Sequence, residues 1–257
     1  MPSSAAIRLQ IETTLANRVP AALTLKIKQA PELFATGIVE VDAVLDGGIP
    51  RGGITEVAGA ASTGKTSFGL STIATITQSG VACAWVDVSD TLSPESAAAT
   101  GVELKRLLWL RTSAERKQTI TNKPWPRLEQ ALKATDLLLQ AGGFGAIVLD
   151  MSDVLPEHTM RIPLATWYRF RLAAEQARTA LIFLSDAPCA HSCATLALRC
   201  EPASVRSFSS NGETALFEHQ QYTLIRERNR NESSVFLQKK PPMCVAWHAG
   251  TLWSQVR

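Results

Sequence analysis

A chain of 257 residues is long enough to bury a sizeable core, and is most simply one α/β domain with small additions. Hydrophobic residues at 46% against 19% charged exclude an extended acidic or basic tail, and a formal charge of +3 is too small to identify a nucleic-acid partner by itself. Cysteines 83, 189, 193, 200 and 244 are odd in number and unevenly placed, and no secretory segment opens the sequence; a reduced, cytoplasmic protein with no membrane helix is expected.

Residues 3–17 carry Ile7, Ile11 and Leu15 at four-residue spacing. That predicts a short helix whose apolar face needs cover from its own domain or from a partner. Residues 18–36 read as a linker, with Leu23, Leu25 and Ile27 alternating enough for a short edge strand. The compact core starts at Thr36-Gly37, which divides the chain into an N-terminal helix and linker (1–35) and a core with a short C-terminal extension (36–257). Ile38, Val41 and Leu45 have helical spacing, and the glycine-rich run 47–53 stops that helix in a turn. A strand at 54–58 leads to a helix at 66–78, with Phe68, Leu70, Ile73 and Ile76 toward a sheet.

Residues 81–87 form the next predicted strand, 89–100 a turn and short helix, and 107–110 a further strand. Pro124-Trp125-Pro126 opens a helix to about residue 140, with Leu128, Leu132 and Leu139 inward and Glu129 and Lys133 spaced as a surface pair. Strands at 146–150 and 180–184 bracket a helix at 163–178. This alternation predicts an α/β fold with a mostly parallel central sheet covered on both faces. Segments near 194–199, 221–226, 234–238 and 243–247 read as additional strands that extend the sheet in mixed orientation.

Gly59, Ala60, Ala61, Ser62, Thr63, Gly64, Lys65 and Thr66 compose a complete G-x-x-x-x-G-K-T loop between a predicted strand and a predicted helix. Glycines let successive amides curl around a phosphate, and the helix start adds free N–H groups and a favourable dipole. Lys65 brings a point charge for the terminal phosphates and Thr66 a hydroxyl for magnesium. ATP with Mg2+ is therefore the expected ligand, against a degenerate loop that retains only the shape. Asp150 ends a run of four apolar residues on the same sheet edge, where it would serve the magnesium, directly or through water; the competing reading is an ordinary strand-end cap. Hydrolysis also needs a group that orients water. Of Asp87, Asp90 and Glu95, Asp90 is the candidate. Asp87 could instead face the metal or cap the following turn, and Glu95 after Pro94 suits a first helical turn.

The ordered set of motifs resembles the RecA-type recombinase ATPase core over roughly residues 35–240. It comprises Thr36-Gly37 through Asp42, the turn at 47–52, Glu56-Val57-Ala58 with the phosphate loop, Ala84-Trp85-Val86-Asp87 with Leu92-Ser93-Pro94 and Gly101-Val102, then Asp150, and Leu181 to Asp186. The resemblance implies a RecA-like P-loop NTPase core with additional C-terminal strands. Two departures stand out. Ser89 occupies the position of the family's water-activating glutamate, and Asp186 that of a glutamine that senses the terminal phosphate. The family's appended C-terminal domain is also missing from the pattern. This short form is most similar to ImuA-type accessory proteins. That likeness implies an ATP-binding factor in damage-induced translesion synthesis (SOS mutagenesis), with a translesion or Y-family-like polymerase as partner. RecA, single-stranded DNA and further copies of the chain stay open as partners. The alternative is a DNA-dependent ATPase or recombinase of homologous recombination and repair.

Several other residues hold competing readings. Residues 187–220 lie where the recombinases have a DNA-binding loop, and Arg199 and Arg206 within them suit phosphate contacts. Phe208 and Phe217 are candidates to stack on a base. Arg226, Arg228 and Arg230 would share one side of an extended strand, as a DNA-facing stripe or as a solvated edge. Lys239 and Lys240 resemble lysines that reach a neighbouring subunit's nucleotide, but equally fit an ordinary surface. Cys189, His191, Cys193 and Cys200 lack a standard zinc spacing and read as buried thiols. Trp247 and Trp253 are expected to pack within the fold or support an interface.

Overall fold

The computed structural model describes residues 4–7, 32–112, 124–208, 216–230 and 243–248; the side chains of 124–125, 203–208, 216–220 and 248 are outside that set. Residues 1–30 and 31–257 make two compact units. In the first, residues 4–7 are helical, and the rest of the expected 3–17 helix lies outside the described residues, as do Leu23, Leu25 and Ile27. The second unit opens with β1 (Leu33–Phe34), which pairs antiparallel with β2 (Ile49–Pro50) across α1 (Val39–Val44). Its first element thus precedes the expected boundary at residue 36. Asp42 ties this entry together by accepting the Thr36 amide at 2.7 Å and the Thr36 hydroxyl at 2.8 Å.

The principal sheet uses β3 (Ile54–Ala58), β4 (Cys83–Asp87), β5 (Leu107–Arg111), β6 (Ala146–Asp150), β7 (Ala180–Ser185), β8 (Leu196–Phe208), β9 (Leu216–Asn229) and β10 (Met243–His248). Its order is β10-β9-β8-β3-β7-β6-β4-β5. From β8 to β5 every neighbouring pair is parallel, whereas β8–β9 and β9–β10 are antiparallel. The fold is α/β, with a mixed sheet flanked by helices.

The helices are α2 (Lys65–Gln78), α3 (Pro94–Ala99), α4 (Pro124–Ala141), the single turn α5 (Pro156–Thr159) and α6 (Leu164–Ala177). Strand alternation divides the apolar residues between two cores. One joins Phe68, Ile73 and Ile76 of α2 to Trp85, Val148 and Ile182. The other joins Leu128 and Ala131 of α4, and Trp167 and Phe170 of α6, to Ile147, Leu149, Leu181 and Phe183. Ala146 to Leu149 are fully buried because helices cover both sides of the strand. That double burial explains an uninterrupted apolar run.

The C-terminal half departs from its expected form. β8 continues to Phe208 instead of stopping near 199, and it pairs with β9 from Leu196↔Asn229 to Phe208↔Leu216. Arg206, Phe208 and Phe217 therefore stand in a long hairpin, not in a loop. Their side chains, residues 209–215 and the expected strand at 234–238 lie outside the described residues.

Candidate nucleotide site

Parallel pairing brings four strand ends to one edge of the sheet. Ala58 lies beside Ser185, Leu184 beside Asp150, and Asp150 beside Asp87. The loop leaving β3 therefore starts about 10 Å from the end of β6, two strand spacings away. The Gly59 amide extends the β3–β7 ladder by donating to the Ser185 carbonyl at 3.1 Å. A Cβ on Gly59 would fall 2.4 Å from the Cys200 carbonyl oxygen and 2.9 Å from the Thr63 hydroxyl. Only glycine fits there. The Thr63 hydroxyl closes the loop by donating to the Ala60 carbonyl at 2.8 Å.

Ser62 and Gly64 both have left-handed backbones, with φ of 62° and 86°. Such reversals turn consecutive amides toward a common concavity, which suits an anion. Ala60, Ala61 and Ser62 are exposed, whereas Gly59, Thr63, Gly64 and Lys65 are buried. The first α2 bond runs from the Phe68 amide to the Gly64 carbonyl at 2.9 Å, so the amides just before it have no partner within the helix. Thr66 is exposed in that first turn. A cradle lined by Gly59 and Gly64, at the first turn of a helix and above a lysine, fits a nucleotide's phosphates.

Lys65 is 4% exposed. Its ammonium donates to the Gly59 carbonyl at 2.5 Å, the Ser185 carbonyl at 3.2 Å and the Asp186 carboxylate at 2.5 Å. Glu56, buried in β3, accepts the amides of Cys189 at 2.5 Å and Ala190 at 2.7 Å. It pins the turn that follows Asp186. Tyr222 of β9 packs its ring on Gly64, where a Cβ would come within 2.6 Å of the ring, and it stacks on Trp247 at 4.9 Å between centroids. Trp247 is buried, in line with packing inside the fold. Glu56 and Tyr222 were not anticipated. A carboxylate inside the five-residue buried strand 54–58 was the available signal for Glu56; Tyr222 carries none, because its role depends on where β9 docks.

Asp150 is buried and accepts the Ser152 amide at 3.1 Å. Burial pushes its pKa up, opposed by the Ser152 hydrogen bonds and assisted by the nearby charges of Asp87 and Asp153. A carboxylate held this way gains from a cation at the strand ends. Asp87 is fully buried and accepts the amides of Ser89, Thr91 and Leu92 at 3.2, 3.2 and 2.9 Å, with the Trp109 indole N–H at 3.3 Å. It caps the following turn. Asp90 is exposed, with φ of 59°, and sits 3.6 Å from Arg111. Glu95 occupies the first turn of α3 behind Pro94.

The profile of the RecA N-terminal domain matches residues 4–162, more than half of the chain. The chain belongs to the RecA family. It is similar to Protein RecA of Rhizobium rhizogenes, 31% identical over 170 residues, which cover 60% of this chain and 44% of that protein. Protein RecA of Rhizobium leguminosarum bv. trifolii is 32% identical over 170 residues (60% and 43%). That of Acinetobacter baumannii is 36% identical over 123 residues (48% and 32%). The matched region thus spans less than half of these relatives.

Within this RecA-family chain the expected arginine stripe needs correction. Ala197 pairs with Arg228 but Leu198 with Arg226, so one extra residue, Glu227, bulges from β9. The bulge turns Arg226 and Arg228 to opposite faces, which two-residue spacing alone does not reveal. Arg226 is 6% exposed and donates to Asp46 at 2.9 Å and to the Met243 sulfur at 2.8 Å. Arg228 donates to the His191 carbonyl. Arg199 is held by Glu227 at 2.7 Å and by Glu201. Arg206 stands opposite His219 in the hairpin. Lys239, Lys240 and Trp253 lie outside the described residues.

All five cysteines are free, and Cys189, Cys193 and Cys200 are buried. Among the described residues no cluster of metal-ligating side chains occurs, and no helix is long and apolar enough to cross a membrane.

Proposed function

We propose that this RecA-family chain binds ATP with Mg2+ and acts in DNA recombination and repair, where its nucleotide state governs contacts with DNA or protein partners. The supporting observation is the Gly59–Thr66 cradle at the C-terminal edge of a RecA-like sheet, above a buried Lys65. In this reading the loop amides and Lys65 hold the phosphates. Thr66 and Asp150 serve the magnesium, which when bound offsets phosphate charge. The similarity to RecA proteins favours a DNA-dependent ATPase or recombinase in homologous recombination.

A narrower reading is an accessory factor of translesion synthesis, with a polymerase as partner. Ser89 in place of a carboxylate favours it, together with Asp90 engaged by Arg111, because both argue against rapid turnover. Phosphate release by wild type, Lys65→Ala and Asp150→Ala, with and without single-stranded DNA, separates the two. Turnover stimulated by DNA and lost in both variants supports the ATPase. Nucleotide binding without turnover supports the accessory role, and a polymerase pull-down then tests its partner.

A further inference from the structure

Lys65 has three N–H donors, and all are committed: to the Gly59 and Ser185 carbonyls and to Asp186. Two of these acceptors are backbone carbonyls of the loop and of β7, and the β7 one, at Ser185, also accepts the Gly59 amide. The third is a carboxylate on a partly exposed side chain, 33% accessible. A phosphate approaching through the loop mouth gains Lys65 only by displacing an acceptor, and Asp186 is the displaceable one. It also carries the charge that currently neutralises the buried ammonium.

The backbone that carries Asp186 is held on both sides, while the carboxylate itself is bonded to Lys65. The Ser185 carbonyl is fixed by the Gly59 amide at 3.1 Å, and the Ser185 hydroxyl donates to the Ala187 carbonyl at 3.0 Å. Glu56 then anchors the amides of Cys189 and Ala190. Asp186 sits between these two anchors, so its position beside Lys65 is built into the fold.

We propose that Asp186 is a resident anion that competes with nucleotide phosphate for Lys65 and so determines the affinity of the site. This inference rests on the nucleotide-binding reading. Displacement leaves two negative groups near one lysine, which makes the carboxylate a penalty on binding in addition to a stabiliser of the empty site.

Asp186→Asn keeps the shape and removes the charge; Asp186→Ala removes the carboxylate entirely. Titration calorimetry with MgADP and MgATP is expected to give at least about tenfold tighter binding for both variants, equivalent to about 1.4 kcal/mol. Their nucleotide-free melting temperatures should fall, because Lys65 loses its counter-charge, and the shift produced by saturating MgADP should grow. A merely structural role would lower stability and affinity together. Unchanged or weaker affinity in both variants, with wild-type binding measurable, overturns the proposal and leaves the nucleotide site standing. Absence of binding in wild type and variants alike removes the nucleotide reading, and this proposal with it.

Discussion

Burial decides the chemistry of single side chains here. Lys65 is tolerated inside the protein because each N–H meets an oxygen, and an unmet one would cost about 1–3 kcal/mol. Cys83 and Cys200 face the same constraint with no such partner set. Burial pushes each thiol from 9.0 up to about 12, partly offset at Cys83 by a backbone hydrogen bond and at Cys200 by the Lys65 charge. Such a shift keeps the native thiol protonated after the unfolded chain has released its proton. The unfolded state is then favoured as pH rises above 9, by up to about 1.4 kcal/mol per pH unit for each thiol. Urea midpoints measured from pH 8 to 10 should fall above pH 9. Cys83→Ala should reduce that slope by about one thiol's share, whatever its effect at neutral pH. An unchanged slope would contradict the burial argument.

Element packing explains why the phosphate loop holds its shape. Gly64 is left-handed and lies under the Tyr222 ring, which is itself backed by Trp247 of β10. The antiparallel extension thus supports the loop. Tyr222→Ala should cost about 3 kcal/mol of stability and weaken nucleotide binding, whereas Tyr222→Phe should retain most of both. Denaturation and nucleotide titration check this, and an alanine variant with full affinity would show that the loop is self-supporting.

The same elements show where sequence reading succeeds. β3, α2, β6 and β7 were legible because apolar periodicity, the glycines and Pro or Gly punctuation all agree locally. The tight turn at 59–64 between β3 and α2 was legible too, from its glycines. Strands near 194–199 and 221–226 were legible, but the length and register of the β8–β9 hairpin were not, because they depend on register shifts such as the bulge at Glu227 that no local pattern marks. Asp87 illustrates a third case. Its place at a strand end fitted a catalytic, a metal-facing or a capping role, and the structure shows it accepting three amides of the following turn.

At the scale of the molecule, the sheet order brings residues distant in sequence to one edge: Gly59 after β3, Asp186 after β7 and Asp150 at the end of β6. The match to the RecA N-terminal domain over residues 4–162 covers Gly59 and Asp150, and β7 with Asp186 lies beyond it. The long hairpin and β10 then add the aromatic support beneath the loop. A nucleotide bound at this edge is what the proposed function requires. Titration calorimetry of MgATP into the full chain, wild type beside Lys65→Ala, tests it most directly. One nucleotide per chain bound by wild type, with affinity lowered at least about a hundredfold by the alanine variant, is the predicted result. Equal binding by the two folded proteins, or none by either, would contradict it.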